Sequence, residues 1–293
     1  YGWAQAFTAP NPSITLGTNQ LSFGAVQGSS VTPAQTVSVV NSGAAPQSWS
    51  VSDNQSWLSA TPASGSGSGR ISVTVDPSGL GVGTYSGIIS VSDPNASGYM
   101  PKTIAVSVNI YAPGASSGPI GAFDTPVGGS TVRSSVPVTG WALDDVGIQS
   151  VKIYRDPVAG ESAGAPVYIG EAVMVEGARP DVAGAYPSLP LNRRAGWGYM
   201  LLTHFLPGGG NGSVTLWAVA QDLEGQTISL GSKTISCDNA NAVNPFGAID
   251  TPAQGGTASG SGYLNFGWAL TPQPASIPVD GSTLTVWVDG APL

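Results

Sequence analysis

Ile104-Ala105-Val106-Ser107-Val108-Asn109-Ile110 decides the fold class of this chain. Aliphatic residues stand at every second position, so an extended backbone puts Ile104, Val106, Val108 and Ile110 on one face and small or polar residues on the other. That pattern fits a half-buried strand, and a helix would scatter it around its axis. Ile71-Ser72-Val73-Thr74-Val75, Thr36-Val37-Ser38-Val39 and Ile88-Ile89-Ser90-Val91 behave in the same way. Gly, Pro, Asn and Ser separate these runs and supply turns. No window of eleven or more residues carries a helical stripe, and an all-β chain follows.

Working outward from residue 104, strands are expected near 21–23, 35–40, 47–51, 57–60, 70–75, 84–92 and 102–110. Seven short strands within residues 14–111 match the count of an immunoglobulin-like β-sandwich. Residues 1–13 form an uncharged N-terminal extension containing Tyr1, Trp3 and Phe7. Residues 112–118, Ala-Pro-Gly-Ala-Ser-Ser-Gly, read as a linker too small and polar to pack. A second sandwich is expected over 119–240, with strands near 131–140, 147–155, 167–175, 198–204, 213–221 and 227–236. A long loop at 176–197 holds Arg179-Pro180-Asp181-Val182 and Tyr186-Pro187.

An internal repeat marks a third module. Gly121-Ala122-Phe123-Asp124-Thr125-Pro126 recurs as Gly247-Ala248-Ile249-Asp250-Thr251-Pro252, and Gly140-Trp141-Ala142-Leu143 as Gly267-Trp268-Ala269-Leu270. Residues 244–293 are therefore a partial copy of the second module, and tandem immunoglobulin-like β-sandwiches are the expected architecture. Half a sandwich leaves its inner face uncovered. Asp289-Gly290 after an expected strand at 283–288 is a hairpin turn signal.

Composition narrows the function. Of 293 residues, 41 are Gly and 24 Pro, and only 9% are charged, with net charge -8. No basic stripe exists for a nucleic-acid backbone, since only Arg193 and Arg194 are adjacent among the cations. No run of eighteen apolar residues marks a membrane span. One histidine, His204, and one cysteine, Cys237, exclude a zinc site built from three histidines or several cysteines. Serine-hydrolase chemistry would depend on His204 alone, and its apolar surround, Leu201 to Leu206, suits a structural role. No enzyme and no cofactor are expected.

Sugar rings could stack on exposed aromatics. Trp197 and Tyr199, near Arg193, Arg194 and the long loop with Tyr186, are the best candidates for glycan contact. Packing is the preferred reading of Trp197, because Gly196 and Gly198 flank it. Trp49, Trp57, Trp141 and Trp268 are read as packing residues. Calcium needs six to eight converging oxygens. Nothing resembles an EF-hand, so such a site would have to be assembled from Asp144, Asp145 and Asp222 on separate loops. Turn-forming carboxylates are the preferred reading of these residues, and no metal is expected. Asp124 and Asp250, each before Thr-Pro, are expected to cap turns through backbone N–H bonds.

Leu21-Ser22-Phe23, Gln35-Thr36-Val37 with Asn41, Trp57-Leu58 with Pro62 and Ser64-Gly65, Gly83-Thr84-Tyr85-Ser86-Gly87, and Val106-Ser107-Val108 occur in that order. Together they resemble the BACON family of immunoglobulin-like modules. The later modules resemble bacterial Ig-like repeats, through Gly-x-x-Asp-Thr-Pro, Gly-Trp-Ala-Leu and Val219-Ala220-Gln221-Asp222. The resemblances imply an extracellular or bacterial cell-surface location. They also imply a non-catalytic stalk, adhesin or filament subunit, or alternatively a carbohydrate-binding accessory module. The partners expected are protein neighbours, glycans, or copies of the chain itself, joined through the N-terminal extension and the incomplete third module.

Overall fold

The computed structural model describes residues 13–42, 48–93, 100–252, 256, 264–272, 276–278, 283–288 and 291–292. The first sandwich pairs β1 (Ser13–Leu16), β3 (Gln35–Ser42), β7 (Gly69–Val75) and β5 (Leu58–Thr61) in one sheet. Its other sheet runs β2 (Gln20–Val26), β9 (Lys102–Tyr111), β8 (Gly83–Ser92), β4 (Ser48–Asp53) and β6 (Ser64–Ser66). Alternation is realised as expected: Ile104, Val106, Val108 and Ile110 are buried, as are Ile71, Val73 and Val75. With Phe23, Val37, Val39, Ile89 and Val91 they form the core. Trp49 lies 3% exposed within it, and its indole N–H donates to the Gly67 carbonyl at 3.0 Å.

β1 and β6 extend the seven expected strands. β1 starts at Ser13, the last residue of the extension, and Ile14 beside it sits in the core of the first sandwich. Residues 1–12 lie outside the described residues.

The second module is an eight-stranded sheet that folds over itself. Its order is β10 (Ile120–Thr125), β12 (Ser135–Leu143), β15 (Gly196–Leu202), β14 (Val167–Val175), β13 (Ile148–Arg155), β16 (Asn211–Asp222), β17 (Thr227–Asp238) and β11 (Thr131–Val132). β14 belongs to both layers: Val167 to Ala172 pair with β13, and Val173 to Val175 pair with β15. Ala172 is buried while Val173 is 68% exposed. The core contains Phe123, Val138, Ile153, Trp197, Leu201, Leu216 and Ile235.

The expected loop at 176–197 is partly ordered as helix α1 (Pro180–Ala185), with Pro at its start, and a 3-10 turn, Asn192–Arg194. Six residues are too few to show a helical stripe in sequence. Val182 on α1 packs with Leu143 and Ala195 in a small second cluster, beside Trp141 and Tyr186. The strand expected at 198–204 instead starts at Gly196, and Thr203–Phe205 form a 3-10 turn. His204 is exposed there, its ring parallel to that of Phe246 at 5.9 Å.

The sequence repeat is a repeat of strand pairing. In β10–β12, Gly121 opposes Ala142 and Ala122 opposes Trp141, with a bulge between Phe123 and Thr125. In β18 (Phe246–Thr251) and β19 (Phe266–Leu270), Gly247 opposes Ala269 and Ala248 opposes Trp268, with the same bulge between Ile249 and Thr251. A Cβ on Gly121 would stand 2.3 Å from the Trp141 carbonyl oxygen, and one on Gly247 would stand 2.2 Å from that of Trp268. The motif glycines recur because the strands approach too closely for a side chain. Phe123 is buried, whereas its counterpart Ile249 is 73% exposed. Trp287–Val288 pairs with Ala291–Pro292, and Asp289 and Gly290 between them lie outside the described residues.

Candidate functional site at the junction of the two sandwiches

β2 is buried on both faces from Leu21 to Val26, a departure from half-burial that marks a second neighbour. Leu21, Phe23 and Ala25 point into the first core. Gly24 faces the second sandwich, where a Cβ would stand 1.8 Å from the carbonyl oxygen of Asp145. Thr32, 3% exposed, accepts the Gly24 N–H at 2.8 Å and donates its hydroxyl to the Val146 carbonyl at 2.6 Å. Ser30 donates to the Leu223 carbonyl at 3.0 Å. The first module thus grips two turns of the second, 144–147 and 222–226. Arg193 adds a bond from its guanidinium to the Gly17 carbonyl.

Those two turns carry the acidic residues. Asp144 Oδ1 accepts the N–H groups of Val146 and Gly147, both at 2.8 Å. Asp222 Oδ1 accepts those of Glu224 at 3.0 Å and Gln226 at 2.8 Å. Each aspartate therefore uses one oxygen to shape its own turn. The linker is tied to the same place, because Asp145 Oδ2 accepts the Ser117 N–H at 2.8 Å.

The remaining carboxylate oxygens converge. Asp144 is 2% exposed and Asp222 is fully buried, yet Asp144 Oδ2 and Asp222 Oδ2 accept no hydrogen bond. The same holds for Asp145 Oδ1, while the Glu224 carboxyl has only the Ser116 hydroxyl beside it. Ligating atoms of Asp144, Asp222 and Glu224 lie within 4.8 Å of one another. Among the described residues, none of the four salt bridges involves this group. Burial, with the charges of Asp144 and Asp222 adding to it, pushes the Glu224 carboxyl up to about 7. Burial also raises Asp144 against the opposing pull of its backbone bonds, and raises the neighbouring Tyr111 hydroxyl, which Asp145 reinforces.

The aromatic candidates sit elsewhere. Trp197 is 2% exposed and packs on Phe123 at 5.8 Å between ring centres, so it offers no face to a sugar. Its inward direction follows from pairing: Trp197 opposes Gly140, and Trp141 on the neighbouring strand opposes Gly196. Tyr199 is half-buried beside the core, and the Tyr186 ring lies tilted against Trp141 at 5.5 Å. Arg193 and Arg194 are exposed, with Arg193 engaged across the junction. The structure thus puts Trp197 and Tyr199 at the second core, Tyr186 in a side cluster and Arg193 at the junction, and leaves Arg194 exposed.

Arg179 holds Asp181 through two bonds, at 2.9 and 2.7 Å, and also binds Asp124. Asp124 is therefore an ion-pair partner, which corrects the turn cap expected for it. The Arg179-Pro180-Asp181-Val182 segment fastens α1 to the bulge of β10.

Two docked β-sandwiches make this a modular chain of immunoglobulin-like type. The viral BACON domain family matches residues 14–101, and a bacterial Ig domain family matches 119–171. The chain carries an N-terminal BACON domain followed by a bacterial Ig-like domain. No curated protein matches it.

Among solved structures, a Bacteroides ovatus GH5 xyloglucanase in complex with a heptasaccharide is 22% identical with a TM-score of 0.27; the match covers 40% of this chain and only 22% of that one. Fibronectin(III)-like modules of Clostridium thermocellum CbhA are 14% identical, with a TM-score of 0.28, over 78% of this chain and 95% of theirs. The Escherichia coli chaperone DraB is 14% identical, with a TM-score of 0.25, over 77% and 98%. The fold assignment rests on the strand pairing and the family matches. No helix among the described residues is long and apolar enough to cross a membrane.

Proposed function

We propose that the chain is a spacer segment of an extracellular stalk or filament, in which the first two sandwiches move as one body. The buried contact of Thr32 and Gly24 with the 144–147 turn carries this reading. A hydroxyl and a glycine dedicated to a neighbouring module fix an orientation, whereas a free linker would leave it open. The BACON family matched is described as viral, and a stiff, weakly charged spacer suits an appendage on a virion as well as on a cell. Its partners are proteins. The glycan reading loses its main platform with Trp197 in the core.

Spin labels at Thr74→Cys and Glu171→Cys, both exposed positions, test the spacer reading in the full chain; the buried Cys237 stays unmodified. One narrow inter-label distance distribution is expected. A broad distribution, as for modules swinging on a tether, would refute it.

A further inference from the structure

We propose that Asp144, Asp222 and Glu224, with Asp145 beside them, bind one divalent cation of the calcium type, which fixes the two turns on which the first sandwich docks. Three carboxylate oxygens, one each on Asp144, Asp145 and Asp222, have no hydrogen-bond partner, and the Glu224 carboxyl beside them has only the Ser116 hydroxyl. Two of them belong to Asp144 and Asp222, which are almost wholly buried. Leaving a buried ionised carboxylate uncompensated is costly. The turn bonds at the opposite oxygens hold Asp144 and Asp222 in place, so they cannot swing out to water without losing those bonds.

The donor set is all oxygen and strongly anionic, which selects a hard cation. It contains no thiolate or imidazole that would favour a transition metal. Calcium tolerates irregular geometry with six to eight oxygens, so water and backbone carbonyls complete the shell, whereas magnesium demands a near-ideal octahedron. The ion would join the 144–147 turn to the 222–226 turn. Val146 and Leu223, whose carbonyls receive Thr32 and Ser30, lie within those turns.

The binding claim does not depend on the spacer reading, and calorimetry tests it directly. The full chain, stripped with a chelator, is titrated with calcium chloride. Saturable uptake of one ion per chain is expected. Glu224→Gln is the informative variant because its carboxylate supports no turn; it is expected to weaken uptake by about tenfold or more. Asp53→Asn, at an exposed acid, leaves uptake unchanged.

Melting adds a sign test. In chelator the Glu224→Gln chain melts no lower than the natural one, because a buried charge has gone. With calcium in excess the natural chain melts higher than the variant. No saturable heat at about ten millimolar calcium, uptake unaffected by Glu224→Gln, or an equal response to magnesium would overturn the proposal. The Thr74 and Glu171 labels separate the two readings. A distance distribution that calcium leaves unchanged, with uptake intact, overturns the turn-fixing role alone. One that stays broad in calcium refutes the spacer while the cation site stands.

Discussion

Gly24 of the first sandwich lies against the backbone of Asp145 in the second, with no room between them for a methyl group. The contact is between two main chains, so a Cβ cannot be relieved by a rotamer change. Gly24→Ala is expected to part the modules while leaving β2 paired with β9. The bond from Thr32 to Val146 is lost with it, a change of about 1 kcal/mol or more in the coupling of the two domains. Calorimetry of the variant should show their melting transitions further separated than in the natural chain.

Thr32→Val keeps the side-chain shape but removes the hydroxyl, leaving the Val146 carbonyl without its partner at 2.6 Å. A cost of about 1–3 kcal/mol is expected, read from urea unfolding. A change within error would mean that water replaces the bond at no loss.

Trp197→Ala removes the largest side chain of the second core, against Phe123. Truncation of a buried aromatic costs about 3–5 kcal/mol. Much of a domain's usual margin would go, so the second module should unfold at markedly lower urea, and the first should lose only what it draws from the junction.

Arg179 holds the Asp181 carboxyl down at about 2, chiefly through its side-chain hydrogen bonds, and Arg155 does the same for Glu161. A depressed carboxylate contributes stability above its unfolded value, near 4, and loses it as pH falls toward 2. Both pairs are therefore expected to persist at pH 3 and break as pH falls through about 2. NMR titration of the two carboxyls checks this. Arg179→Ala should return Asp181 toward the ordinary value and leave Glu161 where it is.

The alternation of Ile104 to Ile110 exposed the sheet architecture, because one buried face imposes a period of two. β2 broke the pattern through a contact with residues more than a hundred positions away, and no local period can show that. β14 was legible as a strand, but its change of layer at Ala172 and Val173 depends on two different partners. The repeat was legible as recurring glycines; what they accommodate, the carbonyls of Trp141 and Trp268, became visible only with register. The acidic residues were legible in part. Asp144, Asp145 and Asp222 stand out in the sequence as calcium candidates better read as turn formers, and Glu224 does not, although it stands two residues after Asp222. The signal was that spacing: a turn whose first aspartate binds the backbone N–H of the second acid brings both carboxylates to one side.

β2 and β9 run parallel and stay in register from Gln20 opposite Ala105 to Val26 opposite Tyr111. Tension that draws β2 toward its start and β9 toward its end slides the two strands along each other. Their ladder bonds must then yield together, where a hairpin pulled from its open end would unzip one rung at a time. A tether built on such a pair resists stretching through many bonds of ordinary strength loaded at once.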